Sequence, residues 1–154
     1  AERYWRDARI TTIYEGTTEL QAVAILSGLM GGSLTTYLAD RAERAYEGAP
    51  ADLHEKVKRI NACLDEGIAF CQEKGDTAYI DLMGCRLSTL ASYTTIGYLL
   101  VEEASKSERK LVAARRFIGQ AVPRSAAVLE EIKLGDETPI KGYRELLEAD
   151  VPKE

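Results

Sequence analysis

The sequence predicts an all-α protein, an antiparallel helical bundle of about four long helices with short helices at the termini. Three observations carry this. Apolar residues recur at steps of three and four over long stretches, the period of one helix face. Pairs of Ser, Thr or Asp with Glu or Gln three residues later mark helix starts. Only four prolines are present, and three of them (Pro50, Pro139, Pro152) fall where connectors are expected. Short connections make successive helices antiparallel.

Taken in order, residues 2–10 form a short, charged helix. Ile10, Thr11, Thr12, Ile13 and Tyr14 then read either as an extended piece or as a helix end, and Glu15-Gly16 as a turn. A second helix over 18–46 opens on a capping box of Thr18 and Gln21 and carries Gly28, Gly31 and Gly32 inside it. Each interior glycine costs about 1 kcal/mol relative to alanine, so a bend or break is expected there. Glu47-Gly48-Ala49-Pro50 ends it.

A third helix opens at Asp52, with Glu55 completing its cap, and buries Leu53, Val57, Ile60, Leu64, Ile68 and Cys71. Lys56, Lys58, Arg59, Asp65 and Glu66 take the opposite side, and Gly75 closes the helix. The fourth, over 77–104, is apolar on several faces and therefore central. Gly84, Ala91 and Gly97 let a neighbour approach closely. The fifth begins at Ser105 with Glu108. Its stripe is Leu111, Ala114, Ile118, Ala121, Ser125, Val128 and Ile132, and Pro123 predicts a kink. Gly135 ends it, and a short helix over 140–147 precedes a polar tail.

The chain has 154 residues and a net charge of −5. That length suits one domain with a core. The acidic balance argues against nucleic acid as a partner, and no apolar run is long enough for a membrane span. Cys63, Cys71 and Cys85 match no zinc or CxxC spacing and read as reduced packing residues of a cytoplasmic protein. The single histidine, His54, sits beside Asp52 and Glu55 in a first helical turn and reads as a solvated surface residue. One histidine makes a metal site or a Ser-His-Asp triad hard to build. There is no P-loop, GxGxxG, HExxH or GxSxG. The chain begins Ala1-Glu2, with neither Met nor signal peptide, and enters patterned sequence at once, as expected of a piece of a longer protein.

Residues 2–21 read Glu-Arg-Tyr-Trp-Arg-Asp-Ala-Arg-Ile-Thr-Thr-Ile-Tyr-Glu-Gly-Thr-Thr-Glu-Leu-Gln. Read by itself, this segment makes Glu15 a turn glutamate beside a glycine. In full, it resembles the signature near the C-terminus of the acyl-CoA dehydrogenases: an Arg-Asp-Ala-Arg/Lys-Ile helix, then Ile-Tyr-Glu-Gly-Thr, then a Gln. Trp5 and Leu20 depart mildly from that pattern. The resemblance runs from Glu2 to about Leu26.

The resemblance implies an FAD enzyme that oxidises an acyl-CoA thioester to its trans-2-enoyl form and passes electrons to an acceptor. Glu15 matches the base that removes the α-proton in most branches of the family; some branches place the base on an earlier helix. Tyr14 matches a residue lining the acyl site. Gly16, Thr17 and Glu19 match positions that approach the FAD, with Thr17 and Glu19 reading otherwise as cap and first-turn charge.

On this reading residues 1–21 end the dehydrogenase core, and residues 22–154 form a helical bundle and C-terminal extension that packs within a homo-oligomer. The fragment alone is expected to be inactive and to bind FAD weakly. The alternative is a non-catalytic helical module that binds a partner subunit. Arg109, Lys110, Arg115 and Arg116 are the nearest approach to a basic membrane-binding stretch, with Glu102, Glu103 and Glu108 close by.

Overall fold

The computed structural model describes residues 2–12 and 18–148, and these are all-helical with no strand. Helix α1 (Glu2–Ala8) leads into a 3-10 turn (Arg9–Thr12). Then come α2 (Thr18–Met30), α3 (Ser33–Ala42), α4 (Ala49–Lys74), α5 (Thr77–Leu82), α6 (Gly84–Ala104), α7 (Glu108–Lys133), α8 (Thr138–Lys141) and α9 (Tyr143–Glu148).

Helices α4, α6 and α7 pack against one another and hold the core. Val57, near the start of α4, meets Gly97, near the end of α6. Gly67, further along α4, meets Leu87 of α6 and Ile132 of α7. Arg86 pairs with Glu131 at 2.9 Å and Lys133 with Glu66 at 3.4 Å. So α6 runs antiparallel to both α4 and α7, which are parallel to each other. The apolar stripe of α4 is buried from Leu53 to Cys71, as its spacing requires. The stripe of α7 is buried at Ala114, Ile118, Ala121, Ser125 and Ile132 and half-buried at Leu111 and Val128.

The fourth member of the bundle is broken. Instead of one helix over 18–46, the chain forms α2 and α3, bent by 68°. The break falls at Gly31-Gly32, where Gly32 adopts φ 77°, a conformation that costs glycine little. Helix α2 lies on α6, with Leu26 against Gly84. Helix α3 returns along the bundle, and Arg44 beyond its end reaches Glu102 at 3.1 Å.

Several helix starts differ from expectation. Helix α4 begins at Ala49, so Pro50 opens it and Asp52 lies inside its first turn rather than capping it. Proline suits that turn because its missing N–H has no intrahelical partner there. Helix α7 begins at Glu108 behind Ser107; the Ser105 hydroxyl donates back to the Glu102 carbonyl at 2.7 Å and caps nothing. The helix expected over 77–104 is two, divided at Met83, and the Asp76 carboxylate caps the first by accepting from the Ala78 N–H at 2.9 Å. The last helix is interrupted at Gly142. Helix α7 continues through Pro123. Gly119, whose carbonyl loses its usual donor, has open space where a Cβ would sit.

One end of the bundle is latched by polar contacts. The Tyr79 hydroxyl, on a fully buried ring, donates to the Ile132 carbonyl at 2.5 Å. Lys74 lies 4.5 Å from that ring and 2.5 Å from Glu137, which also pairs with Lys141.

Two outcomes are expected. Gly97→Val places a Cβ 3.0 Å from both Val57 methyl carbons, and overpacking of this kind costs about 1–3 kcal/mol, measurable by urea unfolding. Hydrogen bonds from Lys141 and Lys74 hold the Glu137 carboxyl below its ordinary value. A lowered folded pKa stabilises above the unfolded pKa, and that contribution is lost as pH falls through the folded value. Glu137→Gln is therefore less stable than wild type at neutral pH, and the two unfolding midpoints converge as the medium is acidified below about pH 4.

Candidate functional site

Tyr14, Glu15, Gly16 and Thr17 lie outside the described residues, and of Glu19 only the backbone is described, in the first turn of α2. The flanks of that segment are placed. The 3-10 turn ends at Thr12, and α2 begins at Thr18. Residues 21 and 22 both fall within α2, so the segment over 1–21 and the extension over 22–154 share a helix. Helix α1 buries none of its residues. Its charges pair along the helix, Arg3 with Asp7 at 3.8 Å and Arg6 with Glu2 at 3.7 Å.

Thr18 opens onto a groove of about 380 Å³ between α2 and α6. Gln21, Ala22 and Ile25 form one wall, and Cys85, Ser88, Thr89, Ser92 and Tyr93 form the other. It continues past Ser88 and Ser92 to Thr95 and Ile96. The Thr89 hydroxyl donates to the Cys85 carbonyl at 2.8 Å, while the Ser88 hydroxyl is buried without a partner. Among the described residues the walls are apolar with a few hydroxyls and carry no acid, histidine or lysine. Such a surface seats an apolar group. Nothing in composition marks this groove. Its sequence signal is the run of small residues at 84, 88, 91, 92 and 95 on an otherwise bulky helix.

Beside the groove, α2 exposes Leu20, Val23 and Ile25, and α6 exposes Ile96 and Leu99. Ile10 is exposed as well. Helices that bury one face and leave large side chains on another are built to be covered.

His54 is not a surface residue. It is 3% exposed. Its Nε2 lies 2.9 Å from the Arg41 carbonyl, which fixes the N–H on that nitrogen. The ring packs between Tyr46 and Tyr98, at 5.0 and 5.5 Å between centroids. The end of α3 lies against the start of α4, and His54 gives the Arg41 carbonyl a second donor beside the Arg44 N–H at 3.3 Å. Burial pushes the neighbouring Tyr98 hydroxyl up to about 12. Both are packing residues. Among the described residues, no group of three or more His, Cys, Asp or Glu is placed to hold a metal, and no single helix is long and apolar enough to cross a membrane.

Comparison with known proteins yields a short match. A 30-residue stretch, 20% of this chain, is 63% identical to the short-chain specific mitochondrial acyl-CoA dehydrogenase of Rattus norvegicus. The corresponding enzyme of Mus musculus matches to the same extent. The match spans 7% of the length of each relative. No family model matches the chain, and no solved structure does.

The three thiols, all free, differ in access. Cys71 is fully buried, and burial raises its pKa; Cys85 is half-buried on the groove wall. In the native protein a maleimide is expected to label Cys85 while Cys71 stays unmodified until denaturant is added. Peptide mapping of the labelled protein checks this, and native labelling of Cys71 would contradict the packing described.

Proposed function

We propose that this chain carries the catalytic-base segment and helical extension of an FAD-dependent acyl-CoA dehydrogenase. The observation that carries the reading is the run from Arg6 to Gln21, in which the Ile-Tyr-Glu-Gly-Thr signature follows its Arg-Asp-Ala-Arg-Ile helix in register. The short identity with the rodent enzymes supports it.

In this reading Glu15 removes the α-proton of the acyl-CoA thioester. That proton is weakly acidic, so the carboxylate must sit close to it and be shielded from water, which raises its affinity for the proton. Gly16 lets the backbone approach, and the Glu15 N–H donates to the thioester oxygen as negative charge develops there. Tyr14 lines the acyl site. The N-terminus of α2, with Thr17 before it and Glu19 within it, carries the positive end of a helix dipole, which suits a phosphate of FAD. FAD, when bound, supplies the acceptor for the β-hydride. Most of that flavin site lies in parts of the enzyme beyond this chain. The apolar faces of α2 and α6 pack against that body or a second subunit.

The exposed Leu20, Val23, Ile25, Ile96 and Leu99 also favour a second reading, a helical module that binds a partner subunit and gives Glu15 no chemical role. Replacement of Glu15 by Gln in the full-length enzyme separates the two. Loss of a general base slows its step by about 10²–10⁴-fold. Flavin reduction by acyl-CoA is expected to slow by that much, with the FAD content of the enzyme unchanged. Reduction at the wild-type rate would remove Glu15 from the mechanism.

A further inference from the structure

The outer face of α7 is the most strongly charged surface that the proposed function leaves unused. Between Glu108 and Glu130 the sequence holds Arg109, Lys110, Arg115, Arg116 and Arg124 and no acidic residue, in a chain of net charge −5. Four of these five are exposed arginines, and none forms an ion pair among the described residues. Lys110, the fifth, pairs with Glu103 at 3.4 Å. Elsewhere on the bundle most cations are paired, Lys56 and Arg59 of α4 being exceptions among the described residues. Arg44, Arg86, Lys58, Lys74, Lys106 and Lys133 each hold a carboxylate.

The arginines are also aligned. Arg109, Arg116 and Arg124 are seven and eight residues apart, on the side of α7 away from its buried stripe. At 1.5 Å per residue they span about 22 Å along the axis. Between them the exposed surface is low. Val112 and Pro123 are its bulkiest apolar members, and Gly119 faces open space.

This combination selects among anionic partners. An interfacial membrane helix buries Trp, Phe or Leu beside its cations, and this stretch exposes none. A low surface flanked by cations instead lets another helix come to packing distance, with its carboxylates meeting the guanidinium groups.

We propose that the outer face of α7 docks an acidic helix of a partner protein, with Arg109, Arg116 and Arg124 pairing to carboxylates spaced along one side of that helix. Complementary charge of this kind sets register and speeds encounter. The proposal stands whether or not Glu15 is a catalytic base.

The test uses two synthetic peptides of one Glu/Ala composition, titrated against the protein by fluorescence anisotropy. In one, the glutamates recur every seven or eight residues on a single helix face; in the other they are scattered around the helix. The one-face peptide is expected to bind at least about tenfold tighter than the scattered one, and to weaken as NaCl is raised from about 50 to about 300 mM. R109E/R116E/R124E is expected to lose this binding by at least about tenfold. R3E/R6E/R144E, with the same change in net charge at exposed cations on α1 and α9, is expected to retain it. Circular dichroism verifies that both variants fold. No binding of the one-face peptide, equal binding of the two peptides, or equal losses in the two variants would each overturn the proposal. So would tighter binding of wild type to vesicles of phosphatidylglycerol and phosphatidylcholine, or to a DNA duplex, than to the one-face peptide.

Discussion

The close approach of α4 to α6 and α7 is the constraint on which the other features rest. Gly97 lets Val57 reach the backbone of α6, and Gly67 admits Leu87 and Ile132 from two helices at once. At such distances a single added carbon makes its neighbours give way by a few tenths of an ångström, so the axial register of the three helices is narrow. That register brings Tyr79 beneath Ile132, Arg86 beside Glu131 and Lys133 beside Glu66. These polar contacts follow from the apolar fit. Exposed ion pairs contribute little by themselves, and here they occupy positions that the packing has already set.

The same packing determines which faces remain outside. Helix α6 is enclosed by α4 and α7 on two sides, and α2 covers only part of the third. The α2–α6 groove and its exposed Ile25, Ile96 and Leu99 are the consequence. The groove begins at Thr18, where the Glu-Gly-Thr segment joins the bundle. On the proposed function the chemistry comes from that short segment, and the bundle holds one of its ends on a rigid element. Catalytic residues are often carried on connecting segments that a rigid scaffold positions. Helix α7 turns its arginines outward because its apolar stripe is already spent on the core.

Much of the fold was legible in the chain. The stripe from Leu53 to Cys71 and that from Ala114 to Ile132 follow directly from helical periodicity, and both are buried. Gly75 and Gly135 close their helices with positive φ, as a residue without Cβ allows. The errors cluster where local pattern and tertiary contact compete. Asp52 with Glu55 has the form of a cap, yet Pro50 starts the helix earlier. Ser105 has the form of a cap, yet its hydroxyl is engaged by the preceding turn. His54, with charged neighbours on both sides, has the pattern of a surface residue; α3 folding back at Gly31-Gly32 buries it. The resemblance of residues 2–21 to acyl-CoA dehydrogenases needed no structure, because a motif is a property of order along the chain.

The sequence by itself determined the helical class, the core stripes and the segment in which chemistry is proposed, since these depend on spacing and residue type within one element. Only the tertiary structure decided that the bend after Thr18 falls at Gly31-Gly32 and measures 68°, that His54 is buried against the end of α3, that α2 and α6 leave an apolar groove and that the α7 arginines have no ion pair among the described residues. Each of those depends on which face of one helix meets which face of another. That is set by shape and approach distance between residues far apart in sequence, and no local rule encodes it.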